Sequence, residues 1–191
     1  MADAMTSKAG ALLLTPGAGA TREQHTLVAV ERAVQPLPCA RVDFPYRLQG
    51  KRIPDKPPVA IAHLIEQAAA LTTATGIAPD RLVVGGRSYG GRMCSMAVAE
   101  GLPAAGLVLL SYPLHPPGRP DNLRVAHFPE IAVPVLMISG KSDPFGSPAE
   151  FEHHLATIAG PVTQIWLTGG HDPRNADSAI GTAVAAWLAT L

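Results

Sequence analysis

Residues 81–96 read RLVVGGRSYGGRMCSM. A short aliphatic run, Leu82 to Val84, is followed by paired glycines, then Ser88, then a second pair of glycines. After these come helix-favouring residues with Met93, Met96, Ala97 and Ala99 as the apolar positions. The expectation is a buried strand broken at Gly85 and Gly86, a sharp turn carrying Ser88, and a helix. Gly86 to Gly90 spell G-x-S-x-G between that strand and that helix, the setting of a nucleophile elbow. Glycines two residues either side let strand and helix pass close together. The turn lifts the serine hydroxyl above the sheet edge and sets it at a helix N-terminus, where free N–H groups favour negative charge. The plainer alternative is a glycine-rich strand–helix turn with a capping serine.

Outward from this unit, the chain alternates apolar runs with helical patterns. Towards the N-terminus, residues 9–15 (AGALLLT) form a strand, and 16–20 (PGAGA) a tight loop. Thr21 and Gln24 have capping-box spacing, which predicts a helix from there towards Gln35, ended by Pro36 and Pro38. Residues 39–44 are a shorter, more polar strand suited to the sheet edge, and 45–58 a loop with four basic residues. Residues 59–75 are helical, with Gly76 as the stop. Beyond the elbow come strands at 106–110, 134–140 and 162–167, and helices from Ser147 or Pro148 to Ile158 and from Ser178 to the end. Six strands alternating with helices predict a parallel sheet covered on both faces. The expected organisation is a tail over residues 1–8 and one α/β domain over 9–191.

Composition narrows the function classes. The 191 residues hold 15 acidic and 15 basic side chains, so no electrostatic nucleic-acid partner is expected. Cys39 and Cys94, the two cysteines, suggest buried free thiols rather than a disulfide framework or metal site. No apolar run approaches a membrane span, and the opening residues lack the pattern of a secretion signal, so a soluble cytoplasmic protein is expected.

Three loops that follow predicted strands carry Ser88, Asp143 and His171, in the chain order serine, acid, histidine. Functional groups gather beyond the C-terminal ends of parallel strands. A serine hydroxyl is a weak nucleophile until a base takes its proton, the role open to His171; Asp143 would hold the imidazole's tautomer and stabilise its charge. An oxyanion needs two N–H donors, assigned here to Tyr89 and Ala18, with Gly17 or Gly19 as the alternatives to Ala18 and as candidate substrate contacts. Each residue has a plainer reading: Asp143 before Pro144 as a turn former, His171 after two glycines as a solvated loop residue. Asp172 is a rival acid, but adjacent to His171 it is badly placed to reach the far side of the ring. Arg87, Arg92 and His115 are open to two readings, substrate contact or structural pairing. The same holds for Arg119, Arg124 and His127 in the proline-rich connection 111–133.

The motifs TPGAGA, GGRSYGGRM, SYPLHPPGRP, ISGKSDPFG and GGHDP together resemble the small serine α/β hydrolases related to dienelactone hydrolases, and especially a little-characterised bacterial group. The resemblance runs from Ala9 across nearly the whole chain. It implies catalytic Ser88, Asp143 and His171. Thr15-Pro16 stands where many relatives have His-Gly. Relative to larger members, two first strands and a large lid are absent, and residues 111–133 occupy the lid position, which implies an open, shallow site. The expected activity is cleavage of a carboxylic ester or thioester of modest size, without cofactor or metal. The alternatives are a peptide or amide substrate, or a hydrolase fold serving as an interaction module.

Overall fold

The computed structural model describes residues 8–173 and 175–191. The tail expected over residues 1–8 lies, except for Lys8, outside the described residues. Six strands form one sheet: β1 (Ala11–Thr15), β2 (Cys39–Arg41), β3 (Leu82–Arg87), β4 (Gly106–Leu110), β5 (Val135–Gly140) and β6 (Val162–Leu167). Their order is β2-β1-β3-β4-β5-β6, and every pairing is parallel. The helices are α1 (His25–Ala33), α2 (Pro45–Leu48), α3 (Pro57–Thr75), α4 (Tyr89–Ala99), α5 (Pro148–Leu155) and α6 (Asp177–Leu188).

Side chains alternate across a strand, so each apolar run feeds two cores. In β1, Leu12 and Leu14 face α1 and α6, meeting Leu27, Val30, Ile180 and Val184. Ala11 and Leu13 face the opposite layer, where α3 and α4 supply Ile61, Leu64, Ala68, Cys94 and Ala97. This explains why the four inner strands are buried at every position: both faces are covered. The edge strands β2 and β6 are only part-buried, and the short polar β2 sits at the edge as its composition predicts. Leu13 is fully buried, and Leu13→Ala would cost about 2–5 kcal/mol.

Several local boundaries differ from the sequence expectation. β3 is not broken at Gly85 and Gly86 but runs on to Arg87, because both glycines pair in register with β1 and β4. The helix expected from Thr21 begins only at His25, with no side-chain cap. Thr21 Oγ1 takes the Glu23 N–H, and Gln24 is used elsewhere. The loop 45–58 contains the short α2, started by Pro45. Helix α5 stops at Leu155 rather than Ile158, and its start carries a full capping box between Ser147 and Glu150 that was not anticipated. Gly76 ends α3 in the left-handed conformation, φ 69°. No helix among the described residues is long and apolar enough to cross a membrane.

Candidate active site

The site is assembled where β1, β3, β5 and β6 deliver their C-terminal loops to one edge of the sheet. Ser88, between β3 and α4, has φ 50° and ψ −114°. A positive φ is strained for a residue with a Cβ, and it holds only where the surroundings over-determine it. Close packing of β1 against the elbow supplies that constraint. A Cβ on Gly86 would lie 2.2 Å from Thr15 Oγ1, and one on Gly90 2.5 Å from the Pro16 carbonyl oxygen. The glycines therefore let the loop after β1 approach the serine.

Ser88 Oγ lies 2.9 Å from His171 Nε2, and His171 Nδ1 lies 2.8 Å from Asp143 Oδ2. A carboxylate only accepts hydrogen bonds, so Nδ1 carries the proton and Nε2 is free to accept from the serine. The Asp143 side chain is fully shielded from solvent. Its second oxygen accepts the Phe145 N–H at 2.9 Å, and the Phe145 ring lies over His171 with centroids 4.1 Å apart. The acid and histidine loops are themselves pressed together. The Ser142 N–H donates to the Gly169 carbonyl at 2.9 Å, and a Cβ on Gly140 would come within 2.2 Å of the Gly170 carbonyl oxygen. The structure thus brings together the three residues that the sequence scatters over three loops. The rival acid Asp172 turns away from the ring, to Arg87 at 2.7 Å and His25 at 3.6 Å.

The loop after β1 sorts its own donors. The Gly17 N–H is taken by Gln24 Oε1 at 3.0 Å, the Gly19 N–H by the Tyr46 hydroxyl at 3.1 Å, and the Ala20 N–H by the Gly17 carbonyl at 3.1 Å. The Ala18 N–H has no partner among the described residues. Nor has the Tyr89 N–H, which opens α4 and has no carbonyl one turn behind it to accept it. Both residues line a cleft of about 270 Å³ with Ser88, Pro54, Arg92, Pro113, Arg124 and Phe145. A larger hollow of about 500 Å³ lies at the opposite ends of the strands, between Asp80 and Pro134; no serine, cysteine or histidine lines it.

Four residues open to substrate contact are turned to other partners. Arg87 is buried, and its guanidinium faces away from the cleft. It donates to Thr26 Oγ1 at 3.2 Å and to the His171 carbonyl at 2.6 Å, and pairs with Asp172. It braces the histidine loop from behind. His115 is also buried. Its Nδ1 faces the Pro116 carbonyl at 2.9 Å, and its Nε2 lies 3.1 Å from the Glu150 carboxylate without hydrogen-bond geometry, a charge contact that sets the 111–133 connection against α5. Gly17 and Gly19 do not line the cleft and have their N–H groups occupied, as described. Sequence reasoning missed Gln24, Tyr46 and Phe145, which hold the loop after β1 and the imidazole. Gln24 reaches back seven residues to Gly17, Tyr46 acts 27 residues away on Gly19, and Phe145 depends on ring geometry, so no helix or strand pattern marks them.

Arg92 and Arg124 do line the cleft. Burial, and then the positive charge of Arg92, lower the Arg124 pKa. The same two causes push His127 down to about 4, so its ring is neutral at physiological pH and Nε2 meets Ser95 Oγ at 2.7 Å. Desolvation raises the Tyr89 hydroxyl, which donates to the Asp55 carbonyl at 2.8 Å. Among the described residues no group of three histidine, cysteine, aspartate or glutamate side chains is placed to hold a metal.

Comparison with known proteins now gives the class. The family model described as an alpha/beta hydrolase domain matches residues 8–186, and the chain belongs to that family. A protein of Xanthomonas campestris pv. campestris assigned to the α/β superfamily of hydrolases superposes with a TM-score of 0.72 at 20% identity, over 95% of this chain and 99% of that one. An alpha-beta serine hydrolase homologue from Coxiella burnetii gives 0.76 at 14%, over 96% and 88%. A Bacillus cereus carboxylesterase gives 0.68 at 19%, over 97% and 90%. At these identities the likeness shows the shared fold. No curated protein matches the chain.

Proposed function

We propose that the protein is a serine hydrolase that cleaves a carboxylic ester or thioester through an acyl-enzyme. The observation that carries this reading is the unbroken chain Ser88 Oγ, His171 Nε2, His171 Nδ1, Asp143 Oδ2, at 2.9 and 2.8 Å. In acylation, Ser88 Oγ attacks the carbonyl carbon while His171 Nε2 takes its proton. The carbonyl π electrons move onto oxygen, which the Ala18 and Tyr89 N–H groups receive; such donors are worth most where charge develops. The intermediate collapses, the bond to the alcohol or thiol breaks, and His171 returns the proton to that leaving group. A water then repeats the sequence on the acyl-serine, releasing the acid and restoring Ser88. Asp143 keeps its charge throughout and stabilises the imidazolium.

The Ala18 and Tyr89 N–H groups have no acceptor among the described residues and both residues line the cleft with Ser88, which leaves them open to an incoming oxyanion and supports their role. The carboxylesterase among the structural neighbours makes an ester the first substrate to try. A reducing, cytoplasmic setting belongs to the same proposal. Cys39 and Cys94 are both free, and burial pushes each thiol up to about 12. The test is hydrolysis of a short-chain ester panel by the protein and by Ser88→Ala. Turnover should fall by about 10⁴-fold or more with the fold intact. Equal turnover by the variant would overturn the proposal.

A further inference from the structure

The chemistry just described makes no use of Arg92 and Arg124, yet both guanidinium-bearing residues line the cleft with Ser88. Neither forms an ion pair among the described residues. Of the other sheltered arginines, Arg41 pairs with Glu23 and Glu31 and Arg87 with Asp172, while Arg47, outside the cleft, forms no ion pair among the described residues but donates to the Lys51 carbonyl at 3.4 Å. Arg92 Nε is buried with no hydrogen-bond partner. Nearby acids are already occupied. Asp143 serves His171 and Phe145, and the Asp55 carboxylate accepts the Tyr46 N–H at 2.9 Å.

The backbones beneath the two arginines are fixed. Arg92 stands one helical turn beyond the serine, its N–H bonded to the Ser88 carbonyl at 3.0 Å. Arg124 is held by its N–H on the Leu114 carbonyl at 2.8 Å and by the buried Tyr112 hydroxyl on its own carbonyl at 2.6 Å. Burial, and then the charge of Arg92, depress Arg124, so the two cations stand within reach of one another at the cleft. Two like charges in a part-buried cleft, without a counter-ion, are costly, and an oxyanion between them removes that cost. Guanidinium forks match the planar oxygens of a carboxylate or the oxygens of a phosphate.

We propose that Arg92 and Arg124 form an anion-binding subsite beside Ser88, and that the substrate is a short ester or thioester carrying a carboxylate or phosphate. The subsite itself stands on the arginines; that its anion belongs to an ester rests on the hydrolase reading. The cleft, about 270 Å³, suits a small molecule.

Two measurements separate these claims. The first compares phenyl butyrate with 3-carboxyphenyl butyrate, 3-phosphonooxyphenyl butyrate and monophenyl adipate, which place the anion on the leaving group or on the acyl chain. At least one anionic ester should exceed the neutral one in kcat/KM by about tenfold, chiefly through KM, and Arg92→Gln/Arg124→Gln should abolish that ratio. The second titrates Ser88→Ala protein with benzoate and with inorganic phosphate by calorimetry, needing no turnover. Binding of one or both, lost on Arg92→Gln/Arg124→Gln, supports the subsite and tells carboxylate from phosphate. If that double variant does not fold, Arg92→Lys and Arg124→Lys, which keep charge but lose the fork, should each weaken binding. Binding of neither anion, binding indifferent to the arginines, or no anionic preference in an active enzyme would overturn the subsite. Arginine-dependent binding without any ester turnover would leave the subsite standing and overturn the hydrolase reading.

Discussion

On the β5–β6 side of the cleft, both carboxylate oxygens of Asp143 and both ring nitrogens of His171 have partners, while on the α4 side Arg92 and Arg124 have no counter-ion among the described residues. The two sides differ because they meet the ligand differently. A proton relay must be in place before the substrate arrives, so its partners come from the protein: the Phe145 ring and N–H, the Arg87 brace, the abutting glycine loops. A recognition group must keep its hydrogen-bonding capacity for something outside the chain. On the proposed reading, the satisfied groups form the relay and the unpaired groups lining the cleft receive what it acts on. The Ala18 and Tyr89 N–H groups belong with the second kind, since their proposed acceptor exists only during the reaction.

The comparison breaks most severely if the relay loses its acid. Asp143→Asn keeps the shape but presents an amide where Nδ1–H needs an acceptor, and kcat on a simple ester should fall by about 10⁴-fold with little change in melting temperature. A fall of less than about tenfold would show that Asp143 is not the orienting acid. Gly140→Ala tests the packing that joins the acid and histidine loops. A methyl group within 2.2 Å of the Gly170 carbonyl must push the loops apart, costing about 1–3 kcal/mol in urea unfolding and lowering kcat more than it changes KM. Unchanged stability would mean that this contact relaxes freely.

The smallest effect is expected on the unpaired side. His127 is held near 4, below its ordinary value of 6.5, so the folded state binds fewer protons than the unfolded one between those values. Its stabilising contribution is complete above pH 6.5 and is lost as pH falls towards 4. Acidification adds a further cation within reach of Arg92. Urea midpoints at pH 7 and pH 4.5 should differ less in His127→Gln than in the parent, by of order 1 kcal/mol after allowance for solvent screening. An identical pH dependence in both would remove His127 from the account.

The sheet was legible because strand periodicity and strand–helix alternation are local properties: residues 106–110 and 162–167 coincide with β4 and β6 as found. The three loops bearing Ser88, Asp143 and His171 were legible for the same reason, since each follows a strand. What stayed hidden were side-chain pairings outside the regular helix and strand patterns. Gln24 looked like half of a capping box and instead holds Gly17. Arg87 was open to substrate contact or structural pairing, and only the fold shows its partner, the His171 carbonyl, 84 residues away in sequence. Gly85 and Gly86 looked like strand breakers. Propensity alone disfavours them in a strand, but close approach by Thr15 and Val108 leaves no room for a side chain.

The most direct test of the central claim is labelling with a fluorophosphonate probe, read by intact mass and peptide mapping. A single adduct on Ser88, suppressed in His171→Ala protein that remains folded, is the predicted result. An unlabelled Ser88 in the folded parent, or labelling indifferent to His171, would contradict it.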